Sequence, residues 1–235
     1  MKKVIIGNWK MNGSHALVDA LAAQITPAAE LPYTGLVCPP FTLLAYARKT
    51  LPASLFVGAQ DIAACEKGAF TGDVSGALLA DSGATHVLIG HSERRLYHQE
   101  NETTFSEKIQ AALAQGLLPI LCVGESHECF DKKETKSFLR AQLHFALPFL
   151  KEKAITLAYE PLWAIGTGQT PTLPMIQDVH SFLEGEFGVA PFYGGSVTIQ
   201  NYQDILALGA VGGLLIGGES LFPEKFALIL QGKAL

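Results

Sequence analysis

Glu160 ends an apolar run and stands between Tyr159 and Pro161, and a carboxylate so placed is a candidate general base. Beyond it, Trp163, Ala164 and Ile165 lead into Gly166-Thr167-Gly168. A proline-stiffened start, an apolar middle and a glycine-bearing tip predict a lid over 164–168 that excludes water. An ordinary loop with a surface glutamate is the plainer reading of the same residues. His91 leaves a second apolar run and enters a helix expected to begin at Ser92. The positive end of a helix dipole disfavours added positive charge, so it lowers the pKa of a histidine there. A neutral imidazole can then donate a hydrogen bond to a carbonyl oxygen, although a single histidine more often only packs. Lys10, within Asn8-Trp9-Lys10-Met11-Asn12, follows a third run. Its ammonium could hold a phosphate and steady a developing oxyanion, the alternative being a solvated surface charge.

Two glycine pairs follow two further runs, in Tyr193-Gly194-Gly195-Ser196-Val197 and Gly217-Gly218-Glu219-Ser220-Leu221. Glycine pairs let backbone N–H groups come close to an anion, and a short helix start adds a favourable dipole. One pair alone would read as a turn; two at corresponding places make a stronger signal. Arg94 and Arg95 follow Glu93, and structural ion pairs are their expected use.

The elements that must position these residues are short apolar runs alternating with helical patterns. Strands are expected at Val4–Gly7, Gly35–Cys38, Leu55–Ala59, His86–Gly90, Leu118–Val123, Ile155–Tyr159, Phe192–Tyr193 and Gly213–Ile216. Most are apolar throughout, as parallel strands covered on both faces are. Between them, Ser14 is a candidate N-cap, and helices are expected over Glu102–Gln115, Lys132–Leu150, Leu173–Phe187, Thr198–Leu208 and from Pro223 to near Gly232. Strict alternation predicts α/β architecture with right-handed crossovers, and eight repeats favour one closed (β/α)8 barrel domain over residues 1–235. Function is then expected at the C-terminal ends of the strands, where every residue named above falls.

Bulk properties narrow the setting. The formal net charge of -5 excludes a strongly basic nucleic-acid or anionic-membrane binder. The apolar stretch after Met1-Lys2-Lys3 is too short for a signal or a membrane span. Cys38, Cys65, Cys122 and Cys129 include no C-x-x-C pair, so free thiols in a reducing, cytoplasmic compartment are expected. Cys122, His127 and Cys129 match no common zinc spacing, and neither metal nor organic cofactor is expected.

Seven segments together resemble the triosephosphate isomerase family: N-W-K-M-N at 8–12, G-A-F-T-G at 68–72, G-H-S-E-R-R at 90–95, C-V-G-E at 122–125, Y-E-P-L-W-A-I-G-T-G at 159–168, Y-G-G-S-V at 193–197 and G-G-E-S-L at 217–221. They keep the family's order and span the chain. The resemblance implies interconversion of glyceraldehyde 3-phosphate and dihydroxyacetone phosphate through an enediolate, as in a familiar worked case of pKa tuning. It implies Glu160 as base, neutral His91 as electrophile, Lys10 as cation, Asn8 as a supporting polar contact and Glu93 as a second acid. It also implies phosphate contacts from Gly166, Ser196, Gly217 and Gly218, with Trp9 beside the substrate. Residues 61–75 resemble the family's interface loop, with Thr71 reaching a partner's site, so a homodimer is implied.

Several positions depart from the family pattern. Asp61 stands for Asn, Ile62 to Cys65 make the interface loop's start less typical, Asp73 stands for Glu, Gln169 for Lys, and Glu219 for a small residue beside the expected phosphate site. The helices that follow the fifth and sixth expected strands look shortened. Two competing readings are a barrel enzyme for another sugar phosphate and a non-catalytic barrel that binds a partner. A Schiff-base aldolase would need a strand lysine, and the second to eighth expected strands contain none.

Overall fold

The structure is a computed structural model and describes residues 2–25, 30–164 and 170–234. Its strands are β1 (Val4–Asn8), β2 (Thr34–Cys38), β3 (Leu55–Ala59), β4 (His86–Ile89), β5 (Leu118–Val123), β6 (Thr156–Tyr159), β7 (Phe192–Tyr193) and β8 (Gly213–Ile216). They pair in parallel in chain order and close into a barrel. Closure is explicit at Val4, which lies opposite Thr34 on β2 and Gly213 on β8.

The apolar character of both strand faces now has a cause. Ile6, Leu36, Leu88, Ile120, Cys122, Ala158 and Leu215 meet inside the barrel. Their neighbours Ile5, Val37, Val87, Leu121, Leu157 and Leu214 face outward into the larger core shared with the helices. A strand buried this way cannot alternate polar with apolar.

The expected helices differ in quality. Ser14 does cap the helix His15–Gln24, its hydroxyl accepting from the Leu17 N–H at 3.2 Å. The helices Glu102–Ala114, Leu173–Phe187 and Pro223–Leu230 lie where expected. The continuous helix over 132–150 is corrected to Thr135–Gln142, a single 3-10 turn and Leu147–Lys151. Lys133 has φ +59°, which no continuing helix accepts, and Pro148 must sit in a first turn because it lacks an N–H. The helix expected from Thr198 begins only at Tyr202, because Asn201 Oδ1 takes the Thr198 N–H at 2.8 Å and closes a turn first. Two further helices, Leu44–Thr50 and Gly76–Asp81, are too short to show a period.

One buried and three half-buried charges brace the start of the 61–75 segment. Lys108 Nζ lies 2.6 Å from Asp61 and 2.7 Å from Glu100, and Arg94 reaches Asp61 at 2.9 Å and Glu100 through its Nε at 2.9 Å. Asp61 therefore has partners within its own chain that an asparagine could not match in charge.

Two histidines link the fold to pH. Burial pushes the His86 and His180 imidazoles down to about 4. Unfolded histidine titrates near 6.5, so between about 6.5 and 4 the unfolded chain binds the extra proton and stability falls as pH falls. At pH 5 this amounts to about 2 kcal/mol for His180. The stability difference between pH 7.5 and pH 5, read from urea unfolding, is expected to shrink by about that much in His180→Gln. An unchanged difference would contradict the assignment.

Candidate active site

The residues at the strand ends meet at one mouth of the barrel. Asn8, Lys10, His91, Glu160, Gly194, Gly195, Ser196, Gly217 and Gly218 are among those lining a cavity of about 430 Å3. Trp9 is not brought to it. Its ring is fully buried in the core, and its backbone N–H donates to the Cys38 carbonyl at 3.1 Å, so its role beside the substrate is corrected to packing.

Lys10 occupies an uncommon backbone conformation, with φ +52°. Two side chains hold it there. Asn8 Oδ1 accepts from the Lys10 N–H at 3.0 Å, and Gln60 Nε2 donates at 2.8 Å to both the Lys10 and the Cys38 carbonyls. Lys10 Nζ then lies 2.6 Å from Glu93 Oε1. Gln60 is thus a positioning residue at the site, one that no motif of charged or glycine residues would point to.

Glu160 and His91 touch at the base of the cavity. Glu160 is buried, with Oε1 3.1 Å from His91 Nε2 and Oε2 accepting from the Ser92 N–H at 3.2 Å. His91 is the N-cap of the helix Ser92–His98, as expected, and its Nδ1 accepts from the Glu93 N–H at 3.3 Å. That bond places the ring proton on Nε2, facing Glu160. Burial disfavours the imidazolium, yet the carboxylates of Glu160 and Glu93 outweigh burial and Lys10 and leave the His91 pKa above its usual value. The expected lowering by the helix N-terminus is therefore corrected for this arrangement: a full negative charge at contact exceeds the half-charge of a helix end.

Close packing fixes the Glu160 backbone. Its N–H bonds to the Val123 carbonyl at 2.7 Å. A Cβ at Gly124 would lie 1.8 Å from the Glu160 carbonyl oxygen, and one at Gly194 would lie 2.9 Å from its Cγ. Cys122 is buried next to Glu160, and burial foremost, then that carboxylate, pushes its thiol pKa up. His127 instead lies at the surface, 3.0 Å from Asp131. Below the site, buried Glu125 accepts from Tyr159 Oη at 3.0 Å and Trp163 Nε1 at 2.8 Å.

Arg94 and Arg95 serve structure. Arg95 donates to the carbonyls of Gly90 and Cys122, at 2.9 and 3.0 Å, and so ties β4 to β5 just below His91. On the opposite wall of the cavity, Ser196 Oγ donates to the Ala164 carbonyl at 2.9 Å. Gly218 borders open space, since a Cβ there would meet no atom within 4 Å. Gly166, Gln169 and all of the 164–168 lid except Ala164 lie outside the described residues.

A protein-family model described as triosephosphate isomerase matches residues 3–233. The triosephosphate isomerase of Acidiphilium cryptum (strain JF-5) is 45% identical over 255 residues, covering 100% of this chain and 99% of its own length. That of Xanthomonas axonopodis pv. citri (strain 306) is 43% identical over 249 residues, covering 99% and 98%. A crystal structure of triosephosphate isomerase from Bartonella henselae superposes with a TM-score of 0.85 at 35% identity, over 97% of this chain and 98% of that one.

Proposed function

The chain belongs to the triosephosphate isomerase family, and on that premise we propose how its residues interconvert glyceraldehyde 3-phosphate and dihydroxyacetone phosphate. Glu160 takes the proton from the carbon beside the substrate carbonyl. The electron pair of that C–H bond moves to form the enediolate, whose oxygen receives the hydrogen bond His91 Nε2–H now gives Glu160. His91 relays the hydroxyl proton from one enediolate oxygen to the other, and the proton on Glu160 then returns to the neighbouring carbon, completing the aldose–ketose exchange with no atom gained or lost. The observation that carries this reading is the contact of Glu160 with His91 in a cavity that also holds Lys10 and the glycine pairs.

The state of His91 follows from the same contact. Its raised pKa comes from the Glu160 and Glu93 carboxylates. Once Glu160 has accepted the substrate proton it is neutral, and the larger part of that raising charge is gone. Burial and Lys10 both favour the neutral ring, which is the species that donates from Nε2 without leaving a fixed charge at the enediolate. Lys10 supplies the positive field, with Asn8 and Glu93 holding it. The N–H groups of Ser196, Gly217 and Gly218 line the wall suited to the phosphate. Gly194 and Gly124 keep the base in place.

A coupled assay with glyceraldehyde 3-phosphate tests the whole reading: turnover is expected, and none from well-folded protein would overturn it. We also propose one barrel domain that works in the cytoplasm as a homodimer through residues 61–75. Exposed Phe70 and Leu78 in and beside that segment support it, since clustered exposed apolar side chains mark contact surfaces. The mass in solution at micromolar concentration is expected to be twice 25.2 kDa, and a monomer would contradict the assembly.

A further inference from the structure

Glu219 puts a carboxylate immediately after Gly218, where an anion-binding wall should repel it. Its side chain is only 12% exposed, so water screens it poorly. The carboxylate has two partners. Oε1 accepts from the Ile199 N–H at 3.2 Å, on the segment that follows β7. Lys225 Nζ lies 3.4 Å from the same oxygen, reaching back from the first turn of the helix Pro223–Leu230. Lys225 also sits 4.7 Å above the Phe222 ring, which limits where its ammonium can go. On the other side, Ser220 Oγ bonds to the Gly217 carbonyl at 2.6 Å and fixes the turn that carries Glu219.

We infer that Glu219 is a positioning residue for the substrate's phosphate: it ties the segment after β7 to the segment after β8, and Lys225 offsets its charge so that the wall between them still attracts an anion. The inference rests on the proposal that phosphate binds at Ser196, Gly217 and Gly218. The two parts of the role separate by chemistry. Gln at 219 keeps an oxygen for the Ile199 N–H but carries no charge. Ala keeps neither. Removing Lys225 leaves the carboxylate in place and uncompensated, and Glu219 lines the same cavity as Ser196, Gly217 and Gly218, where its weakly screened charge would repel a bound dianion.

The test measures kcat and KM for glyceraldehyde 3-phosphate, and competitive inhibition by inorganic phosphate, at low and high ionic strength. Lys225→Met is expected to raise KM and the phosphate inhibition constant together by roughly 3–10-fold at low salt, with kcat within about twofold. Salt should shrink that effect. Adding Glu219→Gln to Lys225→Met should return both constants to near the parent values. Glu219→Ala should raise KM through loss of the tie, while Glu219→Gln should leave KM unchanged or lower. Unchanged constants in Lys225→Met, or a double variant as impaired as the single one, would overturn the inference. If the parent enzyme turns over but phosphate does not compete with substrate, the phosphate-site reading itself falls. Competition in the parent with no response to Lys225→Met sinks only the role of the pair.

Discussion

Glu160→Gln is expected to lower kcat by about 10²–10⁴-fold, the range for removing a positioned base. The replacement keeps the volume of a buried side chain, and its amide oxygen can still accept from the Ser92 N–H that now meets Oε2 at 3.2 Å. The fold should therefore survive, and circular dichroism should match the parent. Only the capacity to take a proton is gone. In the proposed site substrate binding rests on Lys10 and the glycine wall, so KM should move by a few-fold at most. That split separates a base from a binding group, because a lost binding contact would act mainly through KM. Near-normal kcat in this variant would contradict the assigned role.

Gly124→Ala is expected to cost almost as much while touching no reacting atom. The new Cβ would stand 1.8 Å from the Glu160 carbonyl oxygen and 2.7 Å from its carbonyl carbon. These are backbone atoms and cannot swing aside as a flexible side chain would. Either β5 or the end of β6 must shift by more than an ångström to restore van der Waals distance, and a displacement of about that size near the chemistry can cost about 100-fold. The Glu160 N–H to Val123 carbonyl bond, at 2.7 Å, sits beside the clash and would be strained with it. A fall of about 100-fold in kcat/KM, with soluble folded protein, is the expected result. Activity within a few-fold of the parent would show that the Gly124 contact does not fix the base.

These two cases mark what can be read from a chain and what needs coordinates. All eight strands were legible because most are short runs of apolar residues bounded by turn residues. Glu160, His91 and Lys10 were legible as candidates because chemistry at a barrel's strand ends restricts the choice sharply, and they line one cavity. The close approach of Gly124 to Glu160 was not. It joins residues 36 apart through a backbone contact, and no local pattern records that. Gln60 was missed for a similar reason: an amide that holds two carbonyls resembles any surface glutamine in sequence. The helix over 132–150 failed because apolar spacing alone continued through Lys133 and past Pro148, and backbone geometry stopped it. Asp61 read only as a departure from the family pattern, and its partner Lys108 lies 47 residues away. The upward direction of the His91 pKa depends on a contact with Glu160 across 69 positions, which outweighs the local helix end.

The bond from the Ser92 N–H to Glu160 also gives the enzyme a built-in observer. Ser92 neither binds substrate nor moves a proton in the proposed reaction, but its amide proton lies against the base whenever the base is at rest. An amide pointed at a carboxylate resonates downfield and exchanges slowly with solvent. When Glu160 turns to the substrate carbon, that proton loses its acceptor. One backbone resonance, far easier to follow than a buried carboxylate, would thus report how the proposed base divides its time between the helix end and the substrate.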